Sequence, residues 1–139
     1  MNTGLLGLGS NLGDRRARLQ AAVDALPGAG VIPTACSSTY DTDPVGEVPD
    51  QPSFLNACVL VQTALEPLEL LGDLELAGER MRLPHEQLLS RRFVLIPALE
   101  LDFQMRTPEG TPLADALAAL APTEGVRWAG PPLRLPGAP

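Results

Sequence analysis

Ten arginines and no lysine carry the fixed positive charge of this 139-residue chain, and most of them fall in three short groups, Arg15-Arg16-Arg18, Arg80-Arg82 and Arg91-Arg92. A guanidinium donates in parallel from a planar fork and does not lose its proton, so such groups suit phosphate or carboxylate. The body that carries them is acidic, with a formal net charge of -7. Nucleic acid or an anionic membrane gripped by the overall field needs clustered Lys and Arg. Three local basic spots on an acidic surface fit an anionic small molecule instead. A second chemical signal is Asn56, an amide inside the largely apolar run from Phe54 to Ala64, because a buried amide needs partners. The third is the stretch from Tyr40 to Asn56, whose three prolines fix φ and whose Gly46 permits a tight turn. A loop that stiff has little entropy left to lose on binding, and it reads as a binding wall.

The elements that must position these groups follow from periodicity. Leu5 to Leu8 reads as a short strand, and Gly9-Ser10-Asn11-Leu12-Gly13-Asp14 supplies turn residues and helix caps. A phosphate site at that helix N-terminus is one reading of the segment; a structural turn is the preferred one. Leu19, Ala22, Val23 and Leu26 then form one helical face that stops at Pro27-Gly28. Val31 to Ser38 and Phe54 to Ala64 form a hairpin, and the second strand is apolar on both faces, which predicts a central position. A second helix is expected from about Pro67 to Arg80, with Leu70, Leu71, Leu74 and Ala77 as its buried stripe.

The order β-α-β-β-α is that of an α+β ferredoxin-like sandwich, β-α-β-β-α-β, in which the last strand returns beside the first. No such strand is evident after Arg82, so it reads as missing or replaced. The apolar run Phe93 to Leu101 is interrupted by Pro97, Thr107 to Gly110 is a turn, and Leu113 to Leu120 a short helix. Residues 1–139 read as a single domain, with 122–139 a proline-rich tail that lacks periodicity. Cys36 and Cys58 read as buried small hydrophobes in a reducing cytoplasm, with a disulfide as the alternative. The first residues lack the charged and apolar regions of a signal peptide, and no apolar run approaches the ~20 residues of a membrane span. A cytoplasmic protein is expected.

Four separated pieces, in order, resemble one family. Gly9-Ser10-Asn11-Leu12-Gly13-Asp14; Tyr40, Thr42, Pro44 and Gly46 followed by Gln51-Pro52-Ser53-Phe54-Leu55-Asn56-Ala57; Leu83-Pro84-His85; and Arg91-Arg92-Phe93-Val94-Leu95 with Pro97 are similar to the 6-hydroxymethyl-7,8-dihydropterin pyrophosphokinases of folate biosynthesis. The resemblance implies a ferredoxin-like sandwich and transfer of the β,γ-pyrophosphate of ATP to the pterin hydroxymethyl group with two magnesium ions. It also implies that Phe54 and Phe93 stack on the two pterin faces and that Asn56 reads the pterin edge, as an amide can with one donor and one acceptor side. Thr42, Pro44, Val45 and Gly46 would complete that edge, His85 and Arg91 would touch the ATP phosphates as catalytic groups, and Arg80 or Arg82 would assist. Each has a plainer explanation: core packing for the phenylalanines, a surface or turn histidine, solvated arginines.

The sequence departs from the family at one place. Between Arg82 and Leu83 the family carries a tryptophan-bearing loop and a strand with an Asp-x-Asp pair that bridges the metals; here the sole tryptophan is Trp128. Alternating carboxylates on a strand put both on one face, as two-metal transfer requires. Glu100-Leu101-Asp102 repeats the alternation but falls where the family has a structural run. Asp41 and Asp43 are poor substitutes, and Glu75 and Glu79 are alternative matches to a helix carboxylate. Loss of a paired strand would expose a sheet edge, so a monomer or a homodimer is expected. Two other classes stand beside the enzyme: a degenerate pterin-binding module without the metal site, and a ferredoxin-like regulatory or assembly domain.

Overall fold

The computed structural model describes residues 2–11, 13–43, 52–64, 80–82, 92–106, 110–120 and 125–136. Strand β1 (Asn2–Ser10) leads into α1 (Arg15–Ala25), whose first turn is capped by the Asp14 carboxylate accepting from the Ala17 N–H at 3.1 Å. A short 3-10 turn (Pro27–Ala29) ends at Gly30, which takes φ 81°, and β2 (Val31–Cys36) begins. Strands β3 (Thr39–Thr42), β4 (Phe54–Thr63) and β5 (Arg80–Arg82) follow, then α2 (Arg92–Leu101), α3 (Leu113–Ala118) and β6 (Val126–Gly130). The sheet order is β5-β1-β4-β3-β6, every pair is antiparallel, and β2 also pairs with β4.

Strands β2 and β3 are successive halves of one neighbour of β4. They part at Ser37, whose hydroxyl accepts from the Cys58 N–H while its own N–H donates to the Cys58 carbonyl, both at 2.9 Å. A side chain thus replaces a backbone rung. The register also slips between Pro33 and Ala35, as a proline without an N–H allows. Central β4 sends Leu55, Ala57, Val59 and Val61 to one side, where they meet Leu6, Leu8, Leu19, Ala22, Val23 and Leu26 in a core shared with α1. Cys58, from the other side of β4, packs with Val94, Leu95, Ala98, Leu99 and Leu113 of α2 and α3. Both faces of β4 are buried, as its composition predicts.

Three expectations change. The strand that seemed to be missing is present: β5 lies beside β1, and β5-β1-β4-β3 with β2 reproduces the order in which the last strand of a β-α-β-β-α-β unit flanks the first. Its three residues are too few to show a period. Arg80 therefore lies in a strand and not at the end of a helix, and the rest of the helix expected from about Pro67, residues 67–79, falls outside the described set. The run broken by Pro97 is helical throughout; the proline costs one i to i−4 bond, and burial of Val94, Leu95, Ala98 and Leu99 outweighs it.

The tail after Ala121 also has structure. Strand β6 pairs with β3, and beyond it Arg16 donates to the carbonyls of Pro131 (2.9 Å) and Pro132 (3.1 Å). Gln20 holds Arg134 both ways: its Nε2 donates to the Arg134 carbonyl at 2.8 Å and its Oε1 accepts from the Arg134 N–H at 2.9 Å. Between these grips Leu133 drops into the α1-side core. Among the described residues, no helix is long and apolar enough to cross a membrane.

Candidate functional site

The α2-side face of the sheet carries one run of chemistry. Antiparallel pairing aligns Asn56 with Gly9 on one side and Tyr40 on the other, and Phe54 with Thr42. Directly paired residues share a face. Asn56 is 9% exposed, and its Nδ2 donates to the hydroxyl of Thr42, itself buried. That bond fixes the amide plane. Asn56 Oδ1 rests over Gly9: a Cβ there would sit 2.7 Å from that oxygen and 3.7 Å from Cδ1 of Phe54. Only a residue without a side chain leaves this space. Gly9 belongs to the site, although from sequence it reads as part of a turn.

Helix α2 closes the face. Its first turn lies on β4, where the Cys58 thiol donates to the Val94 carbonyl at 3.7 Å. Burial, with smaller contributions from Cys36 and Glu100, pushes that thiol up to about 12. At the far end Glu100 accepts from the Ser38 N–H at 2.6 Å and from the Tyr40 hydroxyl at 2.5 Å. The Tyr40 phenol is raised well above its ordinary 10.0, by burial first and then by the hydrogen bond to Glu100. Pinned at both ends, α2 presents Phe93 half-buried against the cluster that contains Cys58. Phe54, Asn56 and Phe93 thus belong to one side of the sheet, with Thr42 beside them.

The other candidate residues divide. Pro44, Val45, Gly46, His85 and Arg91 lie outside the described residues, as do Glu75 and Glu79. The backbone of Arg80 pairs with Gly9 and that of Arg82 with Gly7, so position 80 shares a row with Asn56, two strand spacings or ~9.5 Å away. Arg15 and Arg16, read from sequence as part of a basic spot, serve the protein internally: Arg15 pairs with Asp41 at 2.5 Å and Arg16 holds the tail. Asp43 pairs with Arg127 at 3.1 Å. Glu100 and Asp102 are not strand neighbours on one face; Glu100 is helical, and Asp102 accepts from the Gln104 N–H at 2.9 Å. The turn before α1 already holds the Asp14 carboxylate at the helix N-terminus, which supports its structural reading. Among the described residues, no three His, Cys, Asp or Glu side chains gather closely enough to hold a metal ion.

Cys36 and Cys58 are free thiols. Cys36 pairs with Val59 and packs on the α1 side, Cys58 on the α2 side, so the sheet itself separates them. The disulfide alternative falls.

Comparison with known proteins gives a consistent match. Residues 5–82 fit the family model described as 7,8-dihydro-6-hydroxymethylpterin-pyrophosphokinase. The chain is 35% identical to a 2-amino-4-hydroxy-6-hydroxymethyldihydropteridine pyrophosphokinase of Pseudomonas aeruginosa, over 94% of this chain and 95% of that protein. It is 34% identical to the protein of the same description from Bacillus subtilis, over 91% of this chain and 89% of that one. It also resembles a mitochondrial folate synthesis bifunctional protein of Arabidopsis thaliana, 32% identical over 70% of this chain but 23% of the plant protein. The Pseudomonas alignment runs over 164 positions, whereas 94% of 139 residues is about 131, so roughly thirty positions face gaps in this chain.

Proposed function

Because this chain belongs to the 7,8-dihydro-6-hydroxymethylpterin-pyrophosphokinase family, we propose that the α2-side face of its sheet is where the pterin is held for pyrophosphoryl transfer. The activity is that of the family: pyrophosphate moves from ATP to 6-hydroxymethyl-7,8-dihydropterin in folate biosynthesis. The observation that carries the site is Asn56, a nearly buried amide locked by Thr42 and laid over a glycine that makes room for it. With Nδ2 committed to Thr42, Oδ1 is left to accept from the N–H edge of a pyrimidinone. Phe54 and Phe93 supply ring faces for a flat bicyclic acceptor. Thr42 is the last residue of β3, and Pro44, Val45 and Gly46 continue the same edge in the reading taken from the resemblance.

The reaction is an in-line displacement. The pterin hydroxymethyl oxygen bonds to the β-phosphorus, the bond from that phosphorus to the α,β-bridging oxygen breaks, AMP leaves, and the hydroxymethyl proton is released. Positioning and charge neutralisation supply most of the rate in such transfers. Arg91 and His85, with Arg80 or Arg82, are assigned to the phosphates by resemblance. Magnesium bound to ATP would neutralise the polyphosphate, and among the described residues no three His, Cys, Asp or Glu side chains gather to hold it. The same reading makes the protein a cytoplasmic enzyme of small molecules, monomeric or homodimeric, without a nucleic-acid or membrane partner.

Calorimetric titration with 6-hydroxymethyl-7,8-dihydropterin and an assay of ATP-dependent AMP release test the site. Asn56→Ala removes the acceptor and leaves a buried hydroxyl short of a partner, so pterin affinity should fall by about 10- to 100-fold. Unchanged affinity would move the pterin elsewhere. Pterin binding without AMP release would identify a binding module that has lost turnover.

A further inference from the structure

The pterin-facing end of the β3–β4 ladder is its weakest part. Only three residue pairs join the two strands, and the last is Thr42 with Phe54, the two side chains placed at the site. No further pair follows it, since β3 ends at Thr42 and β4 begins at Phe54; the Asp43 N–H instead extends the pairing with β6, donating to the Gly125 carbonyl at 3.0 Å. A terminal rung without a successor frays. On the opposite face of the sheet, Arg15 reaches across this opening. From one Nη1 it donates to Asp41 Oδ1 at 2.5 Å, to the Ser53 carbonyl at 3.2 Å and to the Ser53 hydroxyl at 3.3 Å. Asp41 precedes Thr42 and Ser53 precedes Phe54, so one guanidinium ties the residues that adjoin both members of the last pair. The Ser53 hydroxyl also reaches Asp41 Oδ1, at 3.4 Å.

We propose that Arg15 is a positioning residue of this enzyme: its side chain, on the α1 face, replaces the absent rung and holds Thr42 and Phe54 in register for a pterin on the α2 face. The assignment rests on the pterin site proposed above. Arg15 touches no reacting atom. Its effect passes through the backbone, so it should act on the acceptor and leave the nucleotide alone. All three bonds leave one nitrogen, so a lysine ammonium, with three donors on a shorter side chain, could keep the charge pair with Asp41 and only part of the reach to Ser53.

Two measurements on the full chain test this. Calorimetry with 6-hydroxymethyl-7,8-dihydropterin and separately with a non-hydrolysable ATP analogue is run on wild type, Arg15→Met, Arg15→Lys and, as a distant arginine removal, Arg106→Ala. Arg15→Met should weaken the pterin by about tenfold, the scale of a lost charge-assisted hydrogen bond, and change nucleotide affinity less than twofold. Arg15→Lys should recover part of the loss, and Arg106→Ala should match wild type. Amide hydrogen exchange on ligand-free protein should quicken at residues 53–55 in Arg15→Met and stay unchanged at residues 59–61. Wild-type pterin affinity in Arg15→Met, or exchange quickened evenly along β4, would overturn the assignment. Wild-type protein that binds no pterin would overturn the functional reading itself, and exchange at residues 53–55 would then decide whether Arg15 holds the rung.

Discussion

Cys58 sits against the Val94 carbonyl in the α2-side core, and its acidity follows from that place. The thiol is raised from 9.0 to about 12, so the unfolded chain gives up the proton first as pH rises. Stability from this group is complete below pH 9, declines between 9 and 12, and is gone above the folded value. At pH 10.5 the loss should be about 2 kcal/mol, and urea unfolding at pH 8 and pH 10.5 should show it reduced in Cys58→Val. An equal pH slope in the variant would place the titration elsewhere; Tyr40, also raised, contributes with the same sign. Residues differ in how plainly sequence exposes them. Asn56 was legible because an amide in an apolar run has to be used for something. Gly9 was not, since Gly-Ser-Asn reads as a turn wherever it occurs, and its task appears only when the register sets it opposite Asn56. Arg15 and Arg16 misled for a related reason: clustered charge announces an anion but does not say that the anion is Asp41 or a tail carbonyl.

At the scale of elements, the segment after β6 is the part that sequence could not show. Prolines give it no ladder hydrogen bonds and no period, so it is held by side chains of α1 and by one apolar anchor, Leu133. Leu133→Ala should cost about 2–3 kcal/mol, a core-sized loss from a segment that reads as a tail, and thermal or urea unfolding measures it. A loss under 0.5 kcal/mol would make the segment an ornament of the surface. Strand β1, helix α1 and the double-faced β4 were legible because each has several residues at a clear period. Strand β5 is too short to have one, and in α2 the proline hid a helix that packing sustains.

For the whole molecule, the decisive feature is that two apolar clusters meet on opposite faces of one strand. Leu19, on the α1 side, and Leu95, on the α2 side, are both fully buried and share no partner within a cluster. Leu19→Ala and Leu95→Ala should each destabilise by about 2–4 kcal/mol, and each should shift a single unfolding transition, because β4 belongs to both layers. Fluorescence and circular dichroism melts should coincide; separate transitions for the two faces would show that the layers fold apart. The ferredoxin-like order was readable from the periodicity of roughly the first 80 residues, whereas the second layer depended on α2 and α3, whose signals proline and brevity weaken. The centrality of β4 also dictates a sequence of assembly during translation. Strands β1, β2 and β3 all bond to a strand that comes after them in the chain, so the nascent amino-terminal part has no sheet to join until residue 63 has cleared the ribosome. The strap after β6 is made later still and seats on a helix that precedes it by more than a hundred residues.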